Sequence, residues 1–201
     1  MDVHHNALQT VVVGLRRRLL ADGLDHHAEL LDTLAPPDPG RPGLALPVLS
    51  HLDRAATLAA RGAAHDLAGA ARLLGSSAAW TQTASYVNDP PNPTFLDGYA
   101  HATLAGRPDD TGPGPDGAVA LGLVLLGPHV HYPPHHHPAD EVYLPLTDAT
   151  WLDDDGGYTT RPAGTLLHHR PWQPHGMHTG DAPLLAVYLW TGDVSSPSQF
   201  C

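Results

Sequence analysis

The sequence predicts a mainly β domain, a barrel or a sandwich, preceded by an α-helical segment. Three observations carry that reading. Apolar residues recur at helical spacing up to residue 75 and then change period. From residue 118 onward, short apolar runs alternate with turns rich in Asp, Gly and Pro. The 201 residues are enough for a sizeable core, and 21 Pro with 20 Gly require many turns. The expected division is a helical segment over 1–75 packed on a β-domain over 76–201.

Leu8, Val12, Leu15 and Leu19 define the first helix, which Asp22-Gly23 closes. A shorter helix fits Asp25 to Leu34. Residues 35–47 form a Pro-rich connector that no helix crosses. Ser50 is the expected N-cap of a long helix. Its face is Leu52, Ala56, Ala59, Ala63, Leu67, Ala71 and Leu74, and Gly75 is its expected end. Residues 79–87 alternate like a strand, 89–93 read as a turn, and Phe95 to Leu104 fits either a strand or a short helix. Residues 107–117 read as a loop. Strands are expected at Ala118–Leu126, Glu141–Leu146, Ala149–Leu152, Thr165–His168 and Leu184–Trp190. The acids Asp153, Asp154 and Asp155 with two glycines read as a hairpin tip rather than a calcium loop.

Composition narrows the function. The formal net charge of -11 argues against a nucleic-acid surface, which needs clustered Lys and Arg. The basic run Arg16-Arg17-Arg18 sits in a helical pattern and reads as a solvated face. Cys201 is the sole cysteine, so no internal disulfide or thiolate metal site is expected, and a reducing cytoplasm is the default. The first twenty residues lack the order of a secretory signal, and TVVVGL is too short to span a bilayer. No membrane role is expected. The absence of a GxSxG elbow disfavours serine nucleophile chemistry.

Residues 129–143, HVHYPPHHHPADEVY, concentrate metal-ligand chemistry. His135, His137, Glu141 and Tyr143 share parity, so an extended backbone sends them one way. Imidazoles with a carboxylate suit a first-row divalent ion. Flanking prolines favour a rigid segment, and Glu141 in an apolar strand is costly to bury unless paired or bound. A further imidazole is expected from the segment PWQPHGMH. His175 is the best placed, with His168, His169 and His178 as alternatives. His136 has the opposite parity. His129 and His131 read as packing or supporting groups. Tyr132 and Tyr143 bracket the cluster, and a phenol beside a cation can serve as a base.

These residues resemble the metal-binding core of the cupin superfamily. His135-x-His137-x3-Glu141 looks like its first motif, and Pro162-x-Gly164 with His175 like its second. The segment from Tyr132 to Tyr143 is similar to the cupin-type dimethylsulfoniopropionate lyases. So are WTQTASY at 80–86, the PHGM segment and PLLAVYLWTGD at 183–193. The resemblance implies a cupin double-stranded β-helix, a jelly-roll barrel, behind the helical segment. It implies His135, His137, Glu141 and His175 as metal ligands, and Tyr143 and Tyr132 as the base and its partner. The implied reaction is β-elimination from a small carboxylate carrying a cationic sulfonium. Tyr86, Trp172, Tyr188 and Trp190 are the aromatic candidates to hold that cation. Zinc, iron(II), manganese, cobalt and nickel all suit the donor set. The rival readings are a cupin oxygenase, a lyase or isomerase for another small carboxylate, and a binding module without catalysis. A homodimer is compatible with an exposed barrel edge.

Overall fold

A computed structural model of the chain describes residues 3–35, 42–106 and 118–201. The expected loop at 107–117 and residues 36–41 of the Pro-rich connector lie outside these residues. Helix α1 spans Val3–Ala21 and ends where Gly23 turns at φ +74. Helix α2 (Asp25–Leu30) runs into a 3-10 turn, Leu31–Thr33. The expected long helix is two helices, α3 (Leu52–Ala59) and α4 (His65–Ser77). The break lies around Gly62, where a Cβ would meet Ala163 Cβ at 3.4 Å. The interruption therefore lets the chain seat on the Pro162-x-Gly164 turn. Ser50 is not an N-cap. It lies in the 3-10 turn Pro47–His51, and its hydroxyl donates back to the Pro47 carbonyl. Gly75 lies inside α4, where its missing side chain leaves room for Leu52.

Residues 79–87 do not form the expected strand. Thr81 makes a single bridge to His101, and helix α5 spans Ala84–Asn88. The helical turn buries Tyr86 completely against Phe95, Tyr99 and Tyr132. Residues Phe95–Gly98 make a 3-10 turn before strand β1 (Tyr99–Gly106). The remaining strands are β2 (Ala118–Leu126), β3 (His131–His136), β4 (Asp140–Pro145), β5 (Ala149–Leu152), β6 (Tyr158–Arg161), β7 (Leu167–His169), β8 (His175–His178), β9 (Leu184–Gly192) and β10 (Gln199–Phe200).

Two five-stranded antiparallel sheets result. Their orders are β1-β2-β9-β4-β7 and β10-β3-β8-β5-β6. This is the jelly-roll architecture of a cupin barrel. The first sheet is apolar on both faces, and parity separates the two sets. Leu121, Leu123, Leu125, Val142, Leu144, Leu185, Val187 and Leu189 share one cluster with Val11, Leu15, Leu19 and Leu67 of the helices. Val124, Leu126, Tyr143, Leu184, Ala186 and Tyr188 face the barrel interior with Tyr132, Trp151 and Met177. The helices pack closely among themselves: a Cβ at Gly14 would lie 2.4 Å from Leu67 Cδ2. The acids of the β5–β6 hairpin are engaged within the protein. Asp153 takes Thr159 and Arg161, Asp155 accepts the Gly157 N–H, and Asp154 accepts from Gln173.

Candidate metal centre

The register of the strands assembles the interior site. Between β4 and β9, Glu141 stands opposite Trp190 and Tyr143 opposite Tyr188. Between β4 and β7, Glu141 stands opposite His169. Between β3 and β8, His135 stands opposite His175, after an irregularity between Tyr132 and His135. His137 lies in the turn that carries the chain from one sheet to the other. His135, His137, Glu141 and His175 are each no more than 1% exposed.

The innermost set is smaller than the sequence implied. Ligand atoms of His137, Glu141 and His175 lie within 4.8 Å of one another, and His135 is not in that group. His135 borders it, with its ring centroid 4.2 Å from that of His175. Its other face stacks on Tyr132, 4.0 Å away and 6° from parallel. Burial, with the neighbouring His175, lowers the His135 pKa well below that of an ordinary imidazole and keeps it neutral.

Each imidazole is oriented from behind. Nδ1 of His135 faces the Pro133 carbonyl at 3.0 Å, Nδ1 of His137 faces Ala139 at 3.1 Å, and Nδ1 of His175 faces Gln173 at 2.9 Å. A neutral ring that donates through Nδ1 presents a bare lone pair at Nε2. Nε2 of His137 is 2.9 Å from Glu141 Oε2, and Nε2 of His175 is 3.1 Å from the same oxygen. Lone pairs that close to a carboxylate repel unless a cation lies among them. Glu141 Oε1 and His175 Nε2 are buried without a hydrogen-bond partner. Burial opposes ionisation of Glu141, but the pull of His137 and His175, where their inward nitrogens carry protons, outweighs it and holds the carboxyl well below its usual range; a bound cation would act in the same direction. The donor set thus fits a divalent metal ion: rings oriented by carbonyls, an ionised carboxylate and unpaired inward atoms.

A cavity of about 430 Å³ opens onto Glu141. Its wall includes Tyr132, Tyr143, Tyr99, Tyr188 and Trp190. The Tyr143 hydroxyl meets Glu141; burial first, then that carboxylate, hold its phenol neutral, well above 10. The Tyr132 hydroxyl donates instead to Tyr86 at 3.0 Å. Tyr188 reaches Thr103 at 3.1 Å. It lies across Gly122, where a Cβ would come within 2.3 Å of the phenol.

Two aromatic candidates fall elsewhere. Tyr86 is not a cavity-wall residue; it stands behind Tyr132 and stacks on Phe200 at 4.2 Å. Trp172 is 54% exposed, with its ring beside His136. Its contribution is through the backbone: at φ +63 its N–H donates to the His137 carbonyl at 2.8 Å. His129 and His131 do not support the cluster. His129 points outward beside Asp181, and His131 meets Tyr158 on the surface.

Sequence reasoning did not single out Tyr99, His101 or the segment Ser195–Ser198, which also line the cavity. Nor did it foresee His169 as a buried ring stacked on His175. The pair His168-His169 in a strand was the available signal, since one of two adjacent strand residues must point inward.

The dimethylsulfoniopropionate lyase family profile matches residues 25–186. The chain belongs to the dimethylsulfoniopropionate lyase family. It is 33% identical over 105 residues to dimethylsulfoniopropionate lyase DddQ of Ruegeria pomeroyi (strain ATCC 700808 / DSM 15171 / DSS-3). That alignment covers 51% of this chain and spans half the length of the curated relative. The crystal structure of DddQ from Ruegeria pomeroyi DSS-3 superposes with a TM-score of 0.66 at 22% identity, over 92% of this chain and 95% of that one. A second solved structure, of the DMSP lyases RdDddP and RnDddQII, gives 0.64 at 21%, over 92% and 97%. At those identities the superpositions establish the lyase family's fold for this chain.

Proposed function

We propose that this chain is a metal-dependent carbon–sulfur lyase that cleaves dimethylsulfoniopropionate to dimethyl sulfide and acrylate. The observation that carries the reading is Tyr143, a buried phenol in the cavity wall that meets Glu141 of the donor set. Membership of the lyase family supports the choice of substrate.

His137, Glu141 and His175 would hold the ion, with His135 beside them. A bound divalent ion supplies Lewis acidity toward the substrate carboxylate and favours the phenolate form of nearby tyrosine. Tyr143 then takes the α-proton. The C–H electron pair becomes the new carbon–carbon double bond, and the β-carbon–sulfur bond breaks with its pair leaving on sulfur. Dimethyl sulfide departs neutral from a cation, so no acid is needed. Tyr132, fixed by Tyr86 and the His135 ring, orients the substrate from the opposite sheet. Tyr188 and Trp190 offer aromatic faces to the sulfonium. The cavity lies within the ordinary range for small-molecule sites, on the order of 300–1,000 Å³. We place the reaction in the cytoplasm, in keeping with a single, unpaired cysteine.

The deciding experiment is headspace analysis of purified protein loaded separately with zinc, iron(II), manganese, cobalt or nickel. Dimethyl sulfide release with equimolar acrylate supports the reading. Oxygen uptake with iron and no dimethyl sulfide would replace it with an oxygenase.

A further inference from the structure

Strand alternation places a second imidazole–carboxylate set on the opposite face of the same two strands. Glu141 and His169 point into the barrel, while Asp140 and His168 point toward the helices. There they meet His27 of α2, 113 residues from Asp140 in sequence. His27 Nε2 lies 2.9 Å from Asp140 Oδ1, and His168 Nε2 lies 2.7 Å from the same oxygen. The two rings sit 5.0 Å apart at 75°. The three ligand atoms lie within 4.8 Å of one another. We propose that His27, Asp140 and His168 form a second divalent-metal site, separate from the barrel interior, that pins helix α2 to the outer face of the sheet.

The chemistry favours a first-row ion such as zinc. Two imidazoles and one carboxylate are a common zinc donor set, and metal–ligand bonds near 2.1 Å place neighbouring ligand atoms about 3.0–3.4 Å apart. The observed spacings to Asp140, 2.9 and 2.7 Å, fall just below that range and match hydrogen bonds, so a bound ion would spread the three ligand atoms by a few tenths of an ångström. Both rings use Nε2 and both address one carboxylate oxygen, so the three side chains converge on one point. The side chains of His27, Asp140 and His168 are 10%, 27% and 32% exposed. The site is thus anchored at the helix and open on its outer side, where water can complete the shell. The ligands come from three elements, so binding would close a long loop between the N-terminal helices and the barrel.

A plain hydrogen-bonded triad is the alternative, and one substitution separates the two. His27→Gln keeps an N–H donor for Asp140 but lacks the imidazole lone pair. Chelator-stripped full-length protein is titrated with zinc, and bound metal is counted after gel filtration. The expected result is two zinc per chain for the wild type and one for His27→Gln and for His168→Gln, with dimethyl sulfide release unchanged in His27→Gln. The second zinc should also raise the thermal midpoint of the wild type and not that of His27→Gln. One zinc per chain in the wild type overturns the proposal. So does a second zinc that persists in both variants, which marks adventitious binding by surface histidines. Circular dichroism on each variant confirms that a lost zinc is not a lost fold. Should His27→Gln fail to fold, Asp140→Asn supplies the same count. Because the readout is metal stoichiometry, failure here leaves the interior lyase reading untouched.

Discussion

The imidazole of His169 lies almost flat on that of His175, with centroids 4.4 Å apart and planes 12° from parallel. His169 is buried, and neither of its nitrogens has a hydrogen-bond partner among the described residues. It is therefore packed as an aromatic ring behind a candidate ligand. Burial first, then the neighbouring His175, push its pKa down to about 3.

That depression sets an acid limit. The folded protein holds His169 neutral, while the unfolded chain takes up its proton near pH 6.5. The unfolded state gains protons first, so stability is present above pH 6.5 and is lost as pH falls toward 3. At pH 5 the loss from this group is about 2 kcal/mol relative to pH 7.5. His169→Phe keeps the ring and removes the titration. Urea unfolding at both pH values, with chelator present, should show a smaller pH difference in the variant; an equal difference would exclude His169 as the cause.

Tyr143→Phe should retain its metal and lose about 10²–10⁴-fold in turnover, the usual worth of a positioned base. Tyr132→Phe should lose less, because the Tyr132 hydroxyl is committed to Tyr86. Metal content and headspace dimethyl sulfide, measured on the same samples, check both. Equal losses in the two variants would remove the distinction between a base and a positioning group.

Alanine at His137, Glu141 or His175 should empty the interior site. Alanine at His135 should weaken metal binding less, since its nitrogen lies outside the tight set. Competition against a chelator of known affinity ranks the four. Equal weakening in all four would restore His135 to full standing as a ligand.

Gly122→Ala should destabilise the barrel by about 1–3 kcal/mol. The new methyl would meet both the Tyr188 phenol at 2.3 Å and the Ala102 carbonyl at 2.4 Å, and the latter is backbone that cannot rotate away. Denaturant midpoints should report the loss. An unchanged midpoint would mean that β1 and β2 separate more easily than their packing indicates.

Much of this was legible before the fold was known. Helical spacing located α1, and turn chemistry located β2, β5 and β9, because those signals are local. Parity alone distinguished buried His135, His137 and Glu141 from half-exposed His136. What escaped reading depends on distant partners. The alternation of residues 79–87 was overridden by the aromatic cluster that buries Tyr86. The long apolar face of residues 52–74 hid a break required by the turn at Gly164. Trp172 read as a cavity aromatic, although its left-handed backbone turns the ring outward. The contact of His27 with Asp140 had no local signature at all.

The opposite orientation of Asp140 and Glu141 also limits how this lineage can diversify. A change that slipped β4 by one residue against β7 and β9 would exchange the two acids across the sheet, emptying the barrel of its carboxylate in a single event. The buried neighbours Val142 and Tyr143 therefore guard the chemistry as well as the packing, because they hold β4 in the one pairing that keeps Glu141 inside.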